Sequence, residues 1–128
     1  MPNIGTLITQ VYTSNSHLPI KDATVSIIKR RRVGQPELLA VRVTDQNGKT
    51  TPVAIETPPV EESYSPGGVP YALCDVWVEH MNYQVVEIQN VQIFPGVESI
   101  QDVQVTPLGR NQNQHIGVDV IDISPQDL

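Results

Sequence analysis

The sequence predicts an all-β domain, namely a seven-stranded antiparallel sandwich of two sheets with an extra C-terminal strand. Runs in which apolar and polar residues alternate recur along the 128 residues, and no stretch shows the 3.6-residue apolar period of an amphipathic helix. Valine and isoleucine supply most of the apolar side chains, and β-branched residues favour strands. Turn residues separate the runs at near-regular intervals, which is typical of two packed antiparallel sheets.

The first three strands follow from this alternation. Residues 4–12 form the first strand, with Leu7 and Val11 on one face. Residues 23–27 alternate cleanly and form the second strand. In the third strand we predict an inner face made of three residues that alternate along the chain, namely Leu39, Val41 and Val43.

A tight turn and a fourth strand come next. Residues 45–48 read Asp-Gln-Asn-Gly, and Asn-Gly is a strong hairpin signal because both residues tolerate positive φ. The same segment looks like a truncated calcium loop, but a complete loop needs further oxygen ligands and a bidentate glutamate. We therefore predict a hairpin turn and no metal site here. Residues 51–56 form the fourth strand, with Val53 and Ile55 facing inward.

The second half of the chain supplies a long loop and three more strands. Residues 57–70 hold four prolines and two glycines, so they are predicted to form a surface loop and not a central strand. Residues 71–80 form the fifth strand and residues 84–93 the sixth, with a bend near Asn90. Residues 100–105 form the seventh.

The last residues form a separate segment. Residues 1–108 are predicted to be the sandwich domain, and residues 109–128 a polar spacer followed by a terminal strand over 116–123. A tethered strand of this kind can pair with an edge of its own sheet or with the edge of a neighbouring molecule, which is β-augmentation. The sequence leaves both pairings open.

Five short motifs occur in a fixed order within the first 108 residues. They are Gly5-Thr6-Leu7, Pro19-Ile20-Lys21-Asp22-Ala23-Thr24-Val25, Thr44-Asp45-Gln46-Asn47-Gly48, Val78-Glu79-His80-Met81-Asn82-Tyr83 and Pro95-Gly96-Val97. In this order they resemble the carboxypeptidase regulatory-like domains, which are transthyretin-like (prealbumin-like) sandwiches of Ig-like architecture. Segments 71–80 and 93–98 are also similar to the N-terminal domain of clostridial-type spore cortex-lytic or peptidoglycan-binding proteins. The resemblance implies a sandwich without catalytic residues.

Charge and hydropathy narrow the classes of partner. The formal net charge is −6, which disfavours nucleic acid because phosphate binding needs a positive surface. The one basic run, residues 29–32, is expected to be a solvated hairpin tip, with contact to an anionic polymer as the alternative. No segment has the ~20 apolar residues of a membrane span, and the first residues lack the features of a secretory signal. We expect a protein made in the cytoplasm that reaches a spore or cell surface only after release.

The sequence predicts no catalytic residue, no metal site and no cofactor. His17, His80 and His115 do not stand at metal-ligand spacing. Cys74 is the single cysteine and lies within a strand-like run, where a buried, inert thiol is expected. Cys74 and His80 fall on one face of the fifth strand but roughly 20 Å apart, which is too far for proton transfer. We therefore predict that the protein is not an enzyme.

The fifth strand carries apolar residues on both faces. One face is predicted to enter the core, while the other is interrupted by Asp75. Because the outer face of a sandwich strand normally meets water, this second face needs cover from the chain's own loop or terminal strand, or from a partner. The predicted assembly interface combines it with the apolar residues of the terminal run: Tyr71, Leu73, Trp77, Ile116, Val118, Val120, Ile121 and Ile123.

These features predict a structural module that binds further copies of itself through strand edges and the C-terminal strand. Such a module would form a homo-oligomer or a fibre, for example in a bacterial surface or spore structure. The alternative is a module that binds cell-wall glycan or peptide. For that alternative, Tyr64, Tyr71 and Trp77 are the predicted aromatic platforms.

Overall fold

The computed structural model describes residues 3–30, 34–58, 71–108 and 118–122, the last segment through its backbone alone. These residues contain eight strands, one for each predicted strand region. The strands are β1 (Asn3–Thr13), β2 (Thr24–Lys29), β3 (Glu37–Val43), β4 (Val53–Thr57), β5 (Ala72–Glu79), β6 (Val85–Ile93), β7 (Glu98–Val105) and β8 (Val118–Asp122).

The strands form two sheets, which confirms the predicted sandwich. One sheet has three strands in the order β4-β1-β7, and the other has five strands in the order β3-β2-β5-β6-β8. Four neighbouring pairs are antiparallel, but β7 runs parallel to β1 and β8 runs parallel to β6. Parallel neighbours cannot be joined by a tight hairpin, so each pair needs a long connection. In the chain, β2 to β6 lie between β1 and β7, and β7 lies between β6 and β8.

The inner faces of the sheets form the core that the alternation predicts. Leu7 and Val11 of β1 are fully buried, and Val53 and Ile55 of β4 are buried beside them. Thr9 lies between the two β1 residues on the same face and is also buried; its N–H donates to the hydroxyl oxygen of a buried threonine at 3.0 Å. The three-stranded sheet therefore presents a continuous apolar layer to the five-stranded one.

The predicted inner face of the third strand is wrong in part. Leu39 packs against the core, but Val41 and Val43 are 47% and 57% exposed. In the register of β3 on β2, Val41 lies opposite Ser26 and Val43 opposite Thr24, and both of these β2 residues alternate with the buried ones. Val41 and Val43 do share one face of β3, as the alternation predicts, but that face is the outer face of the sheet.

The turn at residues 45–48 forms as predicted, but it does not close a hairpin. The Asp45 carboxylate accepts hydrogen bonds from the N–H groups of Asn47 at 2.8 Å and Lys49 at 3.1 Å. The strands before and after this turn lie in different sheets. After the turn the chain pairs with β1, because Lys49 bridges to Gln10 and the next residue bonds to Thr9. The turn thus carries the chain from one sheet to the other.

The predicted bend near Asn90 is a β-bulge. Asn90 has a φ of 64°, and the register of β5 on β6 shifts at this point so that Asp75 faces two β6 residues. The buried Asp75 carboxylate accepts the N–H of Asn90 at 3.1 Å and both oxygens accept Nε of Arg30 at 2.9 and 3.0 Å. A charged residue in the middle of the fifth strand is therefore explained, because it satisfies the irregular backbone of its neighbour.

Candidate association surface

Strand β3 is one of the two edge strands of the five-stranded sheet, and β8 is the other. Strand β3 pairs with β2 on one side, and no strand among the described residues pairs with its other side. Its outer face carries Leu38, Val41 and Val43, which are 59%, 47% and 57% exposed. An edge strand with exposed apolar side chains offers both hydrogen-bonding groups and apolar area to a partner.

A bulge in β3 concentrates these side chains on one face. Ile27 pairs with Ala40 and Ile28 pairs with Leu38, so Leu39 is the extra residue. Because of this extra residue, Leu38 and Val41 share the outer face although they are three positions apart. Leu39 turns instead toward the core.

The exposed residues of β3 continue across the sheet into half-buried apolar ones. Ile28 lies opposite Leu38, and Ser26 lies between Val41 on one side and Trp77 on the other. The indole Nε1 of Trp77 is buried without a hydrogen-bond acceptor in the part of the chain that is described. We call this set of five apolar residues the outer stripe: Ile28, Leu38, Val41, Val43 and Trp77.

The three predicted interface residues of the fifth strand do not form one surface. Tyr71 packs its ring on Phe94, with centroids 5.5 Å apart. Leu73 is half-buried and is separated from Trp77 by Asp75, which pairs with Arg30. Of the three, Trp77 lies in line with Val41 of β3, with Ser26 of β2 between them. The exposed face of β3 was not part of the predicted interface. The sequence does hold a signal for it: residues 38–41 are four consecutive apolar residues, which in a sandwich strand indicates two apolar faces.

The terminal run lies at the opposite edge of the same sheet. Val118, Val120 and Ile121 belong to β8, which pairs with β6 of the same chain in the register Val85↔Val118 to Gln89↔Asp122. Predicted interface residues Ile116 and Ile123, and the predicted platform Tyr64, lie outside the described residues. β8 covers the edge of β6, so within the described residues β3 and β8 are the two edge strands of this sheet. The exposed apolar side chains described above lie on β3.

The groups considered for catalysis are far apart. Cys74 is fully buried in β5, and burial raises the pKa of its thiol to about 12, with a lowering contribution from Lys29 and a raising one from Asp75. His17 contacts the ring of Tyr12, and His80 contacts that of Tyr83. Across the described ranges, no three His, Cys, Asp or Glu side chains are grouped as metal ligands would be. Nor does a helix in these ranges have the length and apolar character of a bilayer crossing.

Comparison with known proteins gives a fold and no family. No family model matches the chain, and no curated protein matches it. Among solved structures, the chain is similar to a dioxygenase, Tetur07g02040, with 13% identity and a TM-score of 0.53 over 86% of this chain and 83% of that one.

Two further solved structures are similar over shorter parts of their own length. A candidate carbohydrate-binding protein from Bacteroides uniformis ATCC 8492 has 12% identity and a TM-score of 0.51, over 84% of this chain and 43% of that one. The Bacillus anthracis TIE protein has 11% identity and a TM-score of 0.49, over 83% of this chain and 17% of that one. At 12–13% identity, the two likenesses with TM-scores above 0.5 establish the sandwich fold alone. The resemblance to carboxypeptidase regulatory-like domains stays a prediction.

Proposed function

We propose that this protein is a non-catalytic association module that binds a second copy of itself through β3 and the outer stripe. The observation that supports this proposal is the position of three largely exposed apolar side chains, Leu38, Val41 and Val43, on a strand with an open edge. Scattered exposed apolar residues are ordinary on a protein surface, but a contiguous set on an edge strand favours a partner.

The order of residues in β3 favours a second copy as that partner. In an antiparallel pairing of two β3 strands about a two-fold axis between Leu39 and Ala40, Glu37 of one copy lies opposite Arg42 of the other. The same register places Leu38 opposite Val41 on the outer face. Because the two-fold axis repeats each contact, the interface contains two Glu37–Arg42 pairs and two Leu38–Val41 pairs, as a self-complementary interface requires.

The bulge determines how this contact is held. An irregular edge supports a shorter ladder than a flat strand does. We therefore expect the side chains of the outer stripe to supply most of the contact energy, and the ladder to set the register. A two-fold contact of this kind closes into a dimer. The fibre and the spore or cell-surface location stay predictions of the sequence.

The test is the mass of the protein in solution as its concentration is raised, measured by sedimentation equilibrium. We expect a concentration-dependent dimer for the wild type and a monomer for Val41→Lys, because the substitution places a charge in the centre of the contact. Ile100→Lys is the matched control, since Ile100 is 57% exposed on the outer face of the other sheet. A wild type that stays monomeric throughout, or equal effects of the two substitutions, contradicts the proposal.

A further inference from the structure

A concave groove of about 440 Å³ lies on the outer face of the three-stranded sheet. Its lining includes Gln10, Tyr12, His17, Asn47, Lys49 and Asp102. The volume is in the range of roughly 300–1,000 Å³ that is typical of clefts for small molecules. No residue of the outer stripe contributes to the groove, so it is independent of the proposed association surface.

Three polar side chains stand in a row across the groove. Gln10 of β1 bridges to Lys49 on one side and pairs with Asp102 of β7 on the other. At ~4.8 Å between neighbouring strands, the backbones of Lys49 and Asp102 lie about 10 Å apart. Within the described residues these three side chains form no ion pair or hydrogen bond with the protein, so their donors and acceptors are available to a ligand.

An aromatic wall stands one pleat further along β1. Tyr12 follows Gln10 on the same face, and its ring centroid lies 5.3 Å from that of His17. The turn that carries His17 is fixed by its backbone, because the His17 N–H donates to Thr13 O at 3.1 Å while φ of His17 is 55°. Pro19 bridges to Tyr12 and closes the same end. The wall is therefore held in place before any ligand arrives.

The turn at residues 45–48 also lines the groove. The carboxylate of Asp45 holds this turn through two backbone N–H groups, and Asn47 lines the groove from it. Gly48 joins the turn to β1, because its carbonyl accepts the Val11 N–H at 2.7 Å. A side chain at this glycine would meet the Val11 carbonyl oxygen at 2.4 Å, so the joint depends on the missing Cβ.

We infer that this groove binds a neutral saccharide. Lys49 can only donate hydrogen bonds, the carboxylate of Asp102 can only accept them, and Gln10 and Asn47 do both. Vicinal sugar hydroxyls also do both, so they satisfy such a mixed set, while the C–H face of a sugar ring packs on the Tyr12 ring. A phosphate would meet one cation beside a carboxylate, and an apolar ligand would leave the polar groups unpaired.

Titration of the ¹⁵N-labelled protein with cellobiose, maltose, di-N-acetylchitobiose and inorganic phosphate tests this inference. We expect at least one of the sugars to shift the amide signals of Gln10, Tyr12, Lys49 and Asp102, and phosphate to leave them unchanged. Tyr12→Ala should weaken that sugar's binding about tenfold, whereas Tyr12→Phe, which keeps the ring, should stay within about threefold of the wild type.

A charge-matched pair of variants separates the groove from the rest of the acidic surface. Asp102→Asn should weaken sugar binding, and Glu98→Gln should not, although both remove one charge from the same outer face of β7. The inference is overturned if none of the three sugars shifts these signals at millimolar concentration, if the shifts fall on the outer stripe, or if phosphate produces the same shifts. It is equally overturned if Glu98→Gln weakens binding as much as Asp102→Asn. Since Asp102 is exposed, this comparison holds even where Tyr12→Ala fails to fold.

Discussion

The two outer faces of the sandwich differ far more than the two inner ones. Both inner faces are layers of valine and isoleucine that follow from simple alternation. The outer face of the three-stranded sheet carries the polar groove around Gln10 and Tyr12, and also the exposed Ile100. The outer face of the five-stranded sheet carries the apolar stripe along β3 and Trp77.

Irregular backbone produces this difference between the outer faces. The groove exists because the turn at residues 45–48 crosses from one sheet to the other and docks on β1 through Gly48. The stripe exists because the bulge at Leu39 places Leu38 and Val41 together. A second bulge, in β6, lies beside Asp75, whose carboxylate accepts the N–H of Asn90. Asp75 is two residues before Trp77 along β5. Alternation thus sets the core of a sandwich, and its few irregular residues set what the two surfaces can bind.

Gly48→Ala should produce the largest effect, on the groove side. Gly48 has a φ of 76°, and its new Cβ would lie 2.4 Å from the backbone oxygen of Val11, which cannot move without disturbing β1. We expect the free energy of unfolding in urea to fall by about 2–4 kcal/mol, from overpacking and backbone strain together.

Gly34→Ala is the matched control for that measurement. Gly34 also has a positive φ, 95°, but nothing lies within 4 Å of an added Cβ. Only the backbone strain should remain, so the free energy of unfolding should fall by about 1 kcal/mol. Equal losses for the two variants would show that the turn is not wedged against β1, and the rigid groove wall would lose its basis.

Asp75→Asn should have the next largest effect, on the stripe side. The amide keeps the shape of the carboxylate but loses the charge that pairs with Arg30 and presents an NH₂ group where an acceptor is needed. The N–H of Asn90 then loses a strong acceptor. We expect a loss of about 1–3 kcal/mol in the free energy of unfolding.

The control for this variant removes the same charge from the other outer face. Asp102→Asn changes an exposed carboxylate without a partner among the described side chains, so its effect on unfolding should stay within about 0.5 kcal/mol. If the two variants unfold at the same urea concentration, the bulge in β6 does not depend on Asp75.

The sequence predicted the core well because burial in a strand repeats every two residues. The inward positions of Val53 and Ile55 follow from that period, and so does the shared face of Leu7 and Val11, which the structure buries. The same period cannot say which of two faces is the inner one when both are apolar. Val41 and Val43 were assigned to the core for this reason, and only their register on β2 places them outside.

The groove was beyond sequence reasoning for a different reason. Strand alternation places Tyr12 on the other face of the first strand from Leu7 and Val11, but Lys49 and Asp102 are 37 or more positions away from it along the chain. Their meeting depends on two long-range choices, the parallel pairing of β7 with β1 and the crossing of the turn between sheets. Asn-Gly predicts a tight turn, and it carries no information on which sheet receives the next strand.

Cys74 provides an effect that depends on pH, and it tests the core layer between the two sheets. Burial raises the pKa of its thiol from the ordinary value of 9.0 to about 12, so the folded protein keeps the proton in a range where the unfolded chain releases it. Below pH 9 the thiol is neutral in both states and its burial has no pH dependence. Between pH 9 and about 12 the unfolded state gains stability, so the free energy of unfolding should fall by up to about 1.4 kcal/mol per pH unit.

Other groups also titrate in that range, so the measurement is a comparison between two proteins. Urea unfolding of the wild type and of Cys74→Ala at pH 8, 9 and 10 should give curves whose difference narrows as the pH rises, because the variant has lost the thiol and its linked proton. The alanine variant starts less stable, since it leaves a small cavity between the sheets. Parallel pH profiles would mean that the Cys74 thiol ionises equally in both states, and the inner layer at β5 would then be open to water.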